Sequence, residues 1–152
     1  MRVVIQRVSR ARVTVEGRET GSIGSGLLAY VGVEKGDRED EVDYVAEKIL
    51  GLRVFANESG RMDLSVRDVG GEILSVSQFT LAARIRKGRR PDFGNAAEPD
   101  RAESLYRHFN QRLAASGIPV ATGSFGAFME VESVNDGPVT FVIDRTPRRE
   151  ES

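Results

Sequence analysis

At 152 residues the chain is sized for one domain, and a chain of that length buries roughly 68–70% of its unfolded surface, enough for a core without covalent staples. It has no cysteine and one histidine, which rules out disulfides and thiolate metal sites and argues against a catalytic zinc. Its 22 basic and 23 acidic residues leave a net charge of −1, so global charge does not mark a nucleic-acid binder.

Residues 3–8 form a short apolar run broken by Gln6 and Arg7. It is too short for a signal peptide or membrane span, and a cytoplasmic protein that contacts no membrane is expected. Val13 and Val15 alternate with polar neighbours, and Glu16-Gly17 supplies a turn. Residues 21–26 are Gly-rich, but no helical pattern follows, so they read as a flexible turn rather than a phosphate loop. Residues 27–33 are almost continuously apolar, as in a strand buried on both faces.

The period changes over residues 37–50. Val42, Val45, Ala46, Ile49 and Leu50 fall at helical spacing, and Glu39, Asp40, Glu41 and Asp43 crowd the first turns, where they complement the helix dipole. Gly51 is positioned to end this helix. Val54-Phe55 leads to a turn at 57–60. Gly70-Gly71 precedes an apolar strand over 73–81. Residues 84–95 carry charges, two glycines and Pro91 but no period, the pattern of a functional or mobile loop. A second helix is expected over 99–116, with Pro99 in its first turn, Asp100 and Glu103 near its start and Glu98 a weak cap. Ala102, Leu105, Tyr106, Phe109 and Leu113 make its buried stripe, and Gly117 and Pro119 stop it. Two strands, 128–134 and 139–143, are expected to be joined by a turn at 135–138. The class is α/β of the mixed, α+β-like kind: a single compact domain over residues 1–145 with a mixed sheet and two main helices, followed by a charged, flexible tail over 146–152.

The usual hydrolase side chains are missing. A Ser-His-Asp arrangement would have to use His108, which sits in the second helix and reads as a polar surface residue. Any catalytic power must come from backbone groups, a hydroxyl or the substrate. Arg84, Arg86, Lys87, Arg89 and Arg90 crowd one seven-residue stretch, which reads either as a solvated loop or as a local phosphate-holding patch.

Four stretches taken together are specific: Ser77-Gln78-Phe79-Thr80-Leu81; Lys87-Gly88 followed by Arg90-Pro91 and Phe93; Pro99-Asp100-Arg101-Ala102; and Asn135-Asp136-Gly137-Pro138-Val139-Thr140. With them the chain resembles the D-aminoacyl-tRNA deacylase family over nearly its whole length. The resemblance implies a homodimer of barrel-like β/α subunits with active sites at the interface, acting without a cofactor or metal on the aminoacyl end of tRNA. It implies that Gly137-Pro138 is cis and reaches into the partner's site, that Arg7 holds this element, and that Ser77, Gln78, Phe79 and Thr80 line the aminoacyl pocket. Phe125 and Met129 match positions near the terminal adenosine.

That chemistry suits these residues. Attack on an ester carbonyl develops an oxyanion that the N–H groups of Phe79 and Thr80 are expected to stabilise. The water is activated either through Thr80 as nucleophile, for which no base is evident, or by the neighbouring ribose 2′-OH, the favoured route. A Gly137-Pro138 wedge excludes L side chains but not glycine, which predicts some glycyl-tRNA hydrolysis. The basic loop then holds acceptor-stem phosphates. The competing readings are a non-catalytic RNA-binding module, against which the few aromatics argue, a small-molecule esterase using Thr80, and an inactive structural dimer.

Overall fold

The computed structural model describes residues 1–147; the expected charged tail lies, from residue 148 onward, outside the described residues. Three strands open the chain: β1 (Arg2–Val15), β2 (Arg18–Ile23) and β3 (Gly26–Gly32). Between β1 and β2, Glu16 and Gly17 take φ of 50° and 78°, the left-handed pair that lets a two-residue hairpin follow the strand twist. The first helix, α1 (Glu39–Gly51), leads to a small ribbon, β4 (Phe55–Ala56) and β5 (Met62–Leu64), and then to β6 (Glu72–Ser77). The second helix, α2 (Pro99–Ala115), is followed by β7 (Val120–Thr122) and β8 (Glu130–Asp144).

The main sheet runs β2-β1-β3-β6-β7, with β8 along the other edge of β1. The β1 pairings are antiparallel, whereas β3–β6 and β6–β7 are parallel. Parallel neighbours need long crossovers, and the two helices lie in those crossovers. The sheet curls until β2 meets β7: a Cβ on Gly21 would lie 2.5 Å from the Thr122 carbonyl oxygen, so glycine is required for this near-closure into a barrel.

The alternating faces of β3 feed two cores. Leu27, Ala29 and Val31 pack beneath α1 and α2 with Val45, Ile49, Leu105, Phe109 and Leu113. Leu28 points the other way, into a barrel core with Val8, Val13, Leu74 and Val76. His108 is held in the helix–helix seam, its Nε2 2.7 Å from Asp43 Oδ1, where Arg112 Nε also reaches Asp43 at 3.1 Å. Glu98 caps α2 without a side-chain bond, and Pro99 supplies the fixed first turn instead.

Three expectations are corrected. The apolar segment expected as a strand to residue 81 leaves the sheet at Ser77, and Phe79–Ala82 form a 3₁₀ turn. The reason is that β3, the strand beside it, is ending there: Ser77 pairs with Val31, and Gly32 turns past Gln78 and Leu81. The short strand β7 was not anticipated, because three half-buried residues carry no readable alternation. Finally, residues 135–138 are not a hairpin turn. Both flanks pair with β1, with Asn135 opposite Val8 and Thr140 opposite Gln6, so residues 136–139 bulge from one continuous strand opposite Arg7.

Candidate active site

A cavity of about 430 Å³ opens where β6 leaves the sheet. Ser77, Gln78 and Phe79 form one wall; Phe125 and Met129, from the segment between β7 and β8, form another. The structure thus brings together five residues expected to act at one site, from stretches about fifty positions apart. Thr80 sits beside them, exposed, its Oγ1 accepting a hydrogen bond from Gln78 Nε2. Ala96, Ala97, Pro99 and Ala102 also line it. Sequence reasoning did not expect these small residues at the site; Pro99 and Ala102 stood out as helix features and as part of a family stretch, and Ala96 and Ala97 not at all. Phe93 packs on Phe79 with ring centroids 5.2 Å apart, and Phe128, 89% exposed, stands at the rim.

The backbone at this wall has a simple consequence. With Gln78 as cap, Phe79 and Thr80 are the first two residues of the 3₁₀ turn. The first N–H groups of a helical turn have no partner within it. Two adjacent amides are therefore available beside the cavity, as an anion or a developing oxyanion requires. The turn is fixed at both ends: the Gln78 N–H donates to the Val31 carbonyl at 2.8 Å, and Arg2 Nη1 donates to the Leu81 carbonyl at 3.3 Å. Asp144, 2.9 Å from Arg2 Nη2, orients that guanidinium and raises its pKa further.

The bulge on β8 forms a second, separate group. Arg7 Nε donates to the Asp136 carbonyl at 3.0 Å, and Nη1 donates to the Val54 carbonyl at 2.8 Å. Val139 N–H donates to Asn135 Oδ1 at 3.1 Å, closing the bulge on itself. The Gly137–Pro138 peptide is cis and both residues are exposed. Gly137 has φ 147°, and a Cβ there would lie 2.6 Å from the Val139 nitrogen. Neither Gly137 nor Pro138 lines the cavity of its own chain.

The basic loop is exposed throughout: Arg84, Arg86, Lys87, Arg89 and Arg90 all face solvent. It is not structureless, because Arg84 and Asp92 exchange backbone hydrogen bonds of 2.8 Å in each direction and pinch its ends together. That pinch follows the 3₁₀ turn closely in the chain, and Arg84 and Arg86 line a separate cavity with Arg2, Glu34 and Asn95. Ile85, 75% exposed, stands among them. No helix among the described residues is long and apolar enough to cross a membrane.

Comparison with known proteins gives the family. The family model described as D-Tyr-tRNA(Tyr) deacylase matches residues 4–144. A D-aminoacyl-tRNA deacylase of Geotalea daltonii is 53% identical over 150 residues, covering 99% of both chains. The enzyme of the same name from Geobacter sulfurreducens is 55% identical over 148 residues, covering 97% of both. Among solved structures, one titled c-Myc DNA Unwinding Element Binding Protein superposes with TM-score 0.92 at 42% identity, over 97% of this chain and 100% of the other. A probable eukaryotic D-amino acid tRNA deacylase superposes with TM-score 0.81 at 18% identity, covering 95% and 98% of the two chains, a likeness of fold.

Proposed function

The chain belongs to the D-Tyr-tRNA(Tyr) deacylase family and is a D-aminoacyl-tRNA deacylase, a hydrolase of the ester between amino acid and tRNA; from that premise we propose how it selects and cleaves its substrate. The aminoacyl group enters beside Ser77, Gln78, Phe79 and Thr80, with the terminal adenosine against Phe125 and Met129. Attack of water on the ester carbonyl makes a tetrahedral oxyanion, and the N–H groups of Phe79 and Thr80 stabilise it. Removing one such donor in other hydrolases costs about 10²–10³ in rate. The ribose 2′-OH positions and activates the water, so the protein supplies no side-chain base. Collapse of the intermediate releases the ribose 3′-oxygen and the free amino acid.

The observation that carries this reading is the pair of unpartnered amides beside a cavity with no histidine and no carboxylate among its lining residues. Selection rests on the other group. Gly137 and Pro138 lie outside their own chain's cavity yet are exposed and braced by Arg7, which supports a homodimer in which this wedge enters the partner's site. A rigid backbone there collides with an L side chain and leaves a D side chain free. Glycine escapes exclusion, so glycyl-tRNA, including that formed by mischarging of the tRNA for alanine, is also a substrate. The enzyme works in the cytoplasm as a proofreader of translation.

The test is amino-acid release from D-tyrosyl-, L-tyrosyl- and glycyl-tRNA in parallel, with and without EDTA. Loss of the D and glycyl esters, persistence of the L ester and indifference to chelator are expected. Tight tRNA binding with no hydrolysis of any ester would replace the enzyme by a nucleic-acid-binding module, the reading that the DNA-binding title of one structural neighbour favours. Refusal of glycyl-tRNA alone would overturn pure exclusion.

The basic loop contributes affinity. Reversing Arg84, Arg86, Lys87, Arg89 and Arg90 together is expected to raise the tRNA dissociation constant and flatten its dependence on salt, since log affinity falls with a slope of about −0.9 per neutralised duplex phosphate. Cleavage of a short D-aminoacyl-adenosine ester should survive the same change. An unaltered salt slope would return the loop to an ordinary solvated surface.

A further inference from the structure

The strand that delivers the cleavage wall is supported unevenly. β6 pairs with β3 as far as Ser77, but with β7 only as far as Ser75, opposite Thr122. Beyond that point the β7 edge offers one long contact, Gly123 N–H to the Ser75 carbonyl at 3.4 Å. From Ser75 onward, four residues before Phe79, the strand that leads to the two amides is thus held firmly on its β3 side and weakly on its β7 side.

Tyr106 of α2 adds a contact at that point. Its hydroxyl donates to the Ser75 carbonyl at 2.7 Å, and the side chain is buried. Burial pushes the phenol pKa up, while hydrogen bonds with Ser75, Asn110 and the backbone of Ser77 pull the other way, so the hydroxyl stays protonated and remains a donor. The Tyr106 ring also lies 6.0 Å from the Phe125 ring, tilted by 35°. One side chain therefore joins the strand that leads into one wall of the cavity to Phe125 of the other, and it is not among the residues that line it.

We propose that Tyr106 is a positioning residue of the deacylase: its hydroxyl adds a short bond at the carbonyl where the β7 ladder ends in one long contact, and so sets the strand end that carries the Phe79 and Thr80 amides, while its ring steadies Phe125. It acts on the chemical step through the backbone and not on substrate directly. This inference rests on the cleavage mechanism proposed above.

The experiment is Tyr106→Phe, which keeps the ring and removes the hydroxyl, beside Ile49→Val in the α1 core as a control for lost stability. Single-turnover rates on D-tyrosyl-tRNA, KM, melting temperature and amide exchange over residues 73–82 are measured for both. Tyr106→Phe should lower kcat about tenfold, the loss expected from a slightly misplaced reacting group, with KM within about twofold and faster exchange in that segment. Ile49→Val should lower the melting temperature and leave kcat and segment exchange as in the wild type. Wild-type kcat in Tyr106→Phe would overturn the proposal while leaving the deacylase reading intact. So would a kcat loss without faster exchange, a parallel kcat loss in Ile49→Val, or failure of Tyr106→Phe to fold, since the hydroxyl would then act on folding and not on position. Inactivity of the wild-type enzyme on the D ester would instead remove the cleavage reading itself, and this proposal with it.

Discussion

Gly137→Ala is expected to lower cleavage of D-tyrosyl-tRNA about a hundredfold and to erode rejection of the L ester. Glycine at 137 holds φ 147°, a backbone conformation that L side chains rarely adopt. A Cβ would also lie 2.6 Å from the nitrogen of Val139, which is tied to Asn135 Oδ1 and cannot step aside alone. The bulge must therefore move as a unit, away from where Arg7 clamps the Asp136 carbonyl. Displacing a positioning element by about 1 Å is enough to cost about 10²-fold in rate. A displaced wedge no longer occupies the space that an L side chain would claim, so the D-to-L rate ratio falls as well. Both rates are read by single-turnover release. Unchanged D turnover with L rejection intact would show that the bulge is not part of the selecting surface. Melting temperature serves as the control, because residues 136–138 are exposed and no residue of the bulge belongs to either core cluster.

Replacing the terminal ribose by its 2′-deoxy analogue is expected to cost at least about 10²-fold in turnover, the scale of a lost acid–base or water-positioning group. Thr80→Ala, by contrast, is expected to stay within about tenfold of wild type, because what Thr80 contributes in this reading is its backbone N–H, which alanine retains. The structure supports the contrast. Thr80 Oγ1 accepts from Gln78 Nε2, a group that cannot remove a proton from it. His108, the single histidine, is occupied between α1 and α2 with Asp43. The reverse pattern, a dead Thr80→Ala with full activity on the deoxy substrate, would establish the covalent threonine route.

Both helices were legible because each is long enough for its stripe to repeat: Val42, Val45, Ala46 and Ile49 in α1, and Leu105, Phe109 and Leu113 in α2, are all buried as their spacing requires. β3 was legible for the opposite reason, since nearly every residue in it is buried. The misread positions share a cause. Residues 73–81 are apolar enough to read as one strand, but how far it runs depends on β3, which ends alongside it. Residues 135–138 have turn chemistry, yet both flanks pair with the same strand, so the chain bulges and does not reverse. β7 is a strand only because β6 offers it an edge.

The site divides in the same way. Ser77, Gln78, Phe79, Thr80, Gly137 and Pro138 stood out through the family resemblance that the four stretches carry together, and Arg7 with them. The alanines at 96 and 97 were invisible, and Ala102 read only as helix: a small apolar residue has no chemistry of its own, and its use as a cavity wall is fixed by what faces it. Tyr106 read only as core, since nothing in a helical stripe tells which buried residue has its hydroxyl aimed at a strand's backbone carbonyl. The sequence by itself thus determined the helices, the buried central strand and the family, because periodicity and motif identity are carried by neighbouring residues. The tertiary structure alone decided where strands stop, how the glycine bulge is presented and what braces the cleavage wall. Each of these depends on a partner strand or helix distant along the chain, and a backbone hydrogen bond leaves no mark on the residue type that makes it.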